Sequence, residues 1–63
     1  MTPSAFCHWL AAMKAAGLAS SDAAAGRLLG VSADTIVRRK TAGASVEVAL
    51  ACRALLHRME PYS

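Results

Sequence analysis

Apolar side chains recur at intervals of three and four residues in four successive blocks, and each block is bracketed by residues that start or stop helices. The first, "TPSAFCHWLAAMKAAG", opens with Thr2 in position to cap a helix and Pro3 at the first helical position, where its missing N–H is no loss. Phe6, Leu10 and Met13, with Trp9 beside them, define its apolar stripe, and Gly17 can take the left-handed conformation that ends it. The second, "SSDAAAGRLLG", is shorter. Ser21 caps it, Asp22 lies at the positive end of the helix dipole, Ala25, Leu28 and Leu29 are expected to share its buried face, and Gly30 stops it.

Ser32 offers a fresh cap only two residues after Gly30, so a third helix over "ADTIVRRKT" must meet the second across a very tight turn. The fourth block, "SVEVALACRALLHRMEPYS", starts at Ser45 with Glu47 in its first turn, carries Arg53, His57 and Arg58 toward its end, and is predicted to stop before Pro61. Val48, Cys52, Leu55 and Met59 form its core stripe, widened by Ala49 and Leu56. Nothing alternates with period two and no repeat is visible. The pattern therefore predicts an all-α fold, a compact four-helix domain spanning residues 1–63 with a helix-turn-helix at its centre.

Composition adds a constraint. The chain has 63 residues and is 56% hydrophobic, but much of that fraction is alanine, which favours helix while contributing little burial. A domain of this size buries only about 60% of the surface its unfolded chain exposes. A partner or second subunit is expected to supplement such a core. No apolar run approaches the roughly 18 residues of a membrane span, and the N-terminus lacks the layout of a signal peptide, so the expected location is cytoplasmic, away from membranes.

Charge points to an anionic partner. The formal net charge is +3 with a pI near 9.4, and of the 7 basic residues Arg27, Arg38, Arg39 and Lys40 fall in a stretch whose only acid is Asp34. Cys7, His8, Cys52 and His57 carry the inventory of a zinc site without its spacing: adjacent Cys7 and His8 point about 100° apart on a helix, and no C-x-x-C or H-x-x-x-H pair accompanies them. Cys7 and His57 lack a third group for nucleophilic catalysis, and no phosphate-binding glycine loop is present. Neither metal, cofactor nor enzymatic activity is expected.

The stretch from Asp22 to Lys40, "DAAAGRLLGVSADTIVRRK", resembles the helix-turn-helix of the Cro and phage-repressor family of DNA-binding domains. In that pattern a small residue lies four before the turn glycine and an aliphatic one six after it, because the helices touch there. Gly26 and Ile36 hold these positions around Gly30, with Leu29 and Val31 flanking the glycine. Arg39 departs from the pattern, standing where the family places an apolar or aromatic residue. Its aliphatic stem is expected to cover the core while the guanidinium reaches outward. The connection from Leu18 to Ser21 is also longer than in many members.

The resemblance implies that the second helix of the motif enters the major groove of double-stranded DNA. Its outward positions are then Ala33, Asp34, Val37, Arg38 and Thr41. Arg38 can donate two bonds to guanine, Asp34 can accept from cytosine N4, and Val37 or Ala33 can pack on a thymine methyl. Asp34 has a plainer alternative in the helix dipole or an i, i+4 pair with Arg38. Ser21, Ser32, Arg39, Lys40 and Thr41 are assigned to phosphates.

Val46, Leu50 and Ala54 form a second apolar line on the last helix. With Met59 and Tyr62 they are the expected contact with another copy of the chain, giving a homodimer that reads a palindromic operator. By resemblance the outcome is repression of phage or mobile-element genes; activation through RNA polymerase or another DNA-bound protein is the other sign. The rival expectation is a helical protein-interaction module, antitoxin-like or adaptor-like, whose last helix holds a different protein and whose basic run is solubilising.

Overall fold

A computed structural model describes residues 1–60. The chain forms four helices and, among the described residues, no strand: α1 Pro3–Ala15, α2 Asp22–Leu29, α3 Ala33–Ala42 and α4 Val46–Leu56. This is the all-α, four-helix architecture that the periodicity predicts. Each helix begins at the expected cap. Thr2 accepts a hydrogen bond from the Ala5 N–H, Ser21 from Ala24, Ser32 from Thr35 and Ser45 from Val48, so one otherwise orphaned N–H is satisfied at every N-terminus.

The helices close around a small core of Phe6, Trp9, Met13, Ala19, Ala25, Ile36 and Cys52, with α1 packed against both α3 and α4, and α2 against the same pair. Phe6 and Trp9 meet with ring centroids 5.6 Å apart. The Trp9 indole Nε1–H donates to the Cys52 carbonyl at 2.8 Å, fixing α1 to α4 through a buried bond. Among the described residues no charged or polar side chain is buried.

Several expectations need correction. Leu28 is 47% exposed: on a helix of eight residues whose inner face is already filled by Ala25 and Gly26, it falls on the outer side. Helix α4 ends at Leu56 instead of running to Pro61, because Arg58 adopts a left-handed conformation (φ 57°) and its N–H bonds back to the Leu55 carbonyl while the Met59 N–H reaches Ala54. Met59, placed in the core stripe by a longer helix, is consequently 62% exposed. Pro61 and Tyr62 lie outside the described residues.

The long connection after α1 contributes to the core. Leu18 and Ala19 both donate to the Met13 carbonyl, which folds the segment back and buries Ala19. A second tie fastens the start of the chain. The Met1 amine donates to the Ala44 carbonyl at 2.8 Å and the Ala44 N–H returns a bond to Met1 at 2.9 Å, so the first residue pairs with the α3–α4 connection.

Candidate nucleic-acid interface

Helices α2 and α3 are joined by three residues, 30–32, and the sharpness of that turn has two local causes. Gly30 takes the left-handed conformation (φ 74°, ψ 28°), which a residue without Cβ adopts at no steric cost. Gly26 then lets the chain return: the Val31 N–H bonds to the Gly26 carbonyl at 2.8 Å, and a Cβ on Gly26 would lie 2.6 Å from the Val31 carbonyl oxygen. Ile36, on the first turn of α3, is fully buried in the core. Gly26 and Ile36 are the two positions at which the sequence pattern requires the helices to touch.

With Ile36 inward, the opposite face of α3 is fixed by helix geometry. Ala33, Asp34, Val37, Arg38 and Thr41 are all exposed, and Val37 keeps 54% of its surface in solvent. The Arg38 guanidinium donates through Nη2 to the Thr35 hydroxyl at 3.3 Å, and that hydroxyl also lies 3.1 Å from Ser32 Oγ. Arg38 thus leans toward the N-terminal end of α3. Asp34 forms no ion pair with it, since the only ion pair among the described residues is elsewhere. Thr35, half-buried and unnoticed in the sequence, steers Arg38 from the i, i+3 position, a spacing that could have identified it.

The three residues of the basic run diverge, because successive helical positions point about 100° apart. Only Arg38 belongs to the outward row. Arg39 is half-buried and its guanidinium acts on Cys52. Burial pushes the Cys52 thiol up to about 11, and the Arg39 charge partly opposes that rise. Arg39 thus sits half-buried beside the outward row and not on it, away from the face of Ala33, Asp34, Val37 and Arg38, whereas the sequence assigns it to phosphates. Lys40 turns toward α2: its Nζ donates to Asp22 Oδ2 at 2.6 Å, tying the end of α3 to the first turn of α2. The backbone carbonyl of Lys40 also lies 3.7 Å from the exposed Cys7 sulfur.

The remaining expected phosphate contacts are exposed but engaged. The Ser21 and Ser32 hydroxyls accept capping bonds, and the Thr41 hydroxyl donates to the Arg38 carbonyl at 3.0 Å. Of the expected subunit contact, Val46 and Leu50 stand 73% and 64% exposed on α4, Ala54 is half-buried, and Met59 lies beyond the helix. Among the described residues no three His, Cys, Asp or Glu side chains gather as metal ligands would. No helix among them is long and apolar enough to cross a membrane. Comparison with protein-family models, with curated proteins and with solved structures returns no match to this chain.

Proposed function

We propose that this protein is a small transcription regulator that reads double-stranded DNA by laying α3 in the major groove, and that it acts as a homodimer on a palindromic operator. The observation that carries the reading is the outward row of α3. An exposed aliphatic side chain, Val37, sits between an exposed carboxylate, Asp34, and an exposed guanidinium, Arg38, directly after a capped glycine turn. Apolar contact with a thymine methyl, acceptance from cytosine and bidentate donation to guanine are the three chemistries by which side chains read base edges. Thr35 holds Arg38 near the N-terminal half of the helix, the part that faces bases in this docking geometry.

The face Val46–Leu50 supports the second copy, since an apolar line left in water on a small domain lowers its free energy when covered. Repression, by occupying DNA that RNA polymerase needs, is the simplest action for so small a domain, and phage or mobile-element genes are the setting that the family resemblance suggests. The same exposed line favours the alternative, a helical interaction module that holds a different protein and has no sequence preference on DNA.

Selection of bound duplexes from a random pool at physiological salt, with Arg38→Ala in parallel, separates the two. Enrichment of an inverted repeat is expected, with Arg38→Ala losing about 1–3 kcal/mol and relaxing preference at one base pair. Folded protein that enriches nothing, or an Arg38→Ala variant that weakens specific and random DNA equally, refutes base reading by this helix.

A further inference from the structure

On the side formed by α1 and α4, a groove of about 380 Å³ runs between the two helices, and no residue of α2 or α3 lines it. Its floor is the Trp9 indole and Cys52, both buried and held together by the Nε1–carbonyl bond. The walls are small. Ala5 and Ala12 on α1 and Ala49 on α4 line it with methyl groups, and Met1 and Leu56 complete its apolar lining. The groove therefore exists in the unbound protein, with a floor fixed to α4 by the indole bond.

The rim carries one fixed charge, the Arg53 guanidinium. His8, Arg53 and His57 border the groove, all three exposed, and no carboxylate is among the residues that line it. Arg53 is a permanent cation, and the two imidazoles add N–H donors on either side. The site is not an enclosed cavity. A small molecule would not be enclosed to the 70–90% typical of ligand pockets, at a volume near the lower limit of about 300 Å³. An open channel between two helices instead suits a segment that inserts one or two apolar side chains while the rest of it remains outside.

We propose that this groove docks an acidic amphipathic segment of another protein: its apolar side chains rest on Trp9 between Ala12 and Ala49, and its carboxylates meet Arg53, His8 and His57. Charge decides the class of occupant. A basic segment brings like charge to Arg53, and a second copy of this chain carries a net charge of +3, with Asp22 already paired to Lys40. The groove is independent of the DNA reading, because none of its lining belongs to α2 or α3.

Trp9, the only tryptophan, is a built-in reporter. Two synthetic helical peptides of equal length, both with leucines at i, i+4 and i+7 and without aromatic residues, one carrying glutamates on its polar face and the other lysines, are titrated into the full chain while Trp9 emission is followed. The glutamate peptide is expected to saturate the signal and to bind at least about tenfold more tightly than the lysine peptide, with the preference reversed in Arg53→Glu. Arg53 is exposed, so circular dichroism should show an unchanged fold for that variant. Equal binding of the two peptides, no saturation by either, or a preference that survives Arg53→Glu overturns the proposal. A Trp9 signal that shifts with protein concentration alone in Leu50→Glu, where the exposed apolar line of α4 is broken, assigns the groove to a second copy and overturns it as well.

Discussion

Replacing Gly43 with alanine should be far more damaging than the same replacement at Gly30, although both glycines have positive φ. At Gly30 the conformation is left-handed and an added Cβ meets nothing within 4 Å. Its cost is the left-handed backbone alone, about 1–2 kcal/mol, offset by about 0.4–1 kcal/mol because alanine also restricts the unfolded chain. About 1 kcal/mol should remain. Gly43 is buried and sits at φ 80°, ψ −166°, a region open essentially to glycine only and costing other residues about 1–3 kcal/mol. There an added Cβ would stand 2.5 Å from the Met1 carbonyl oxygen and 3.2 Å from Pro3 Cδ. The chain must part at that point, which sacrifices the reciprocal Met1–Ala44 hydrogen bonds at about 0.5–1.5 kcal/mol each. The sum is about 2–6 kcal/mol before the same offset of about 0.4–1 kcal/mol, against a whole-domain stability of about 3–9 kcal/mol for a chain of this length. Urea unfolding followed by Trp9 emission measures both variants, with sucrose added where Gly43→Ala is partly unfolded in buffer. A Gly43→Ala midpoint shift no larger than that of Gly30→Ala would show that the Met1–Ala44 pairing contributes nothing and would refute the reasoning.

Two further outcomes follow from the core. Trp9→Phe keeps the aromatic contact with Phe6 but deletes the donor to the Cys52 carbonyl, and should cost about 1–3 kcal/mol by urea unfolding; a neutral result would mean that the indole bond is not formed in solution. Cys52 keeps its proton in the folded protein to about pH 11, whereas the unfolded thiol ionises near 9.0, so the unfolded state binds fewer protons between those values. Stability should be unaffected by this group below pH 9 and fall as pH rises from 9 to 11; the fall should be absent in Cys52→Ala. The same burial should leave only the exposed Cys7 reactive toward a thiol reagent in the native state.

The helices were legible in the sequence wherever a local signal decided them. Each serine or threonine cap begins its helix, and Gly30 takes the left-handed turn expected of it, with Gly26 close against the backbone of Val31 and Ser32. The failures are of a different kind. Nothing local forbids α4 from continuing past Leu56, since arginine at 58 gives no glycine-like stop; the left-handed turn there is detectable only in three dimensions. Leu28 reads as a core residue because apolar residues usually are, yet it falls on the flank of α2 that no other helix covers and stays 47% exposed. The direction of Lys40 depends on what lies beside it, Asp22 on α2, and that partner is not near in sequence.

Lys40 turns this last point into a test of how the proposed interface uses charge. Its pair with Asp22 is about one-third exposed on both sides, 36% and 35%, so it should stabilise the fold by no more than about 1 kcal/mol. Its larger effect is on availability: a lysine held at 2.6 Å by a carboxylate brings no net charge to a phosphate. Asp22→Asn removes that carboxylate charge while keeping a side chain of the same shape beside the α2 cap. If α3 lies in the major groove with Lys40 flanking it, this variant should bind every duplex more tightly, whatever its sequence, and its salt dependence should steepen by about 0.9 in the log–log slope, the increment for one added phosphate contact. Lys40→Ala in the same background should cancel the gain. Arg38→Ala must behave differently, changing sequence preference more than slope, because it addresses bases. A slope identical in wild type and Asp22→Asn would mean that Lys40 never meets DNA and serves only to brace α3 against α2.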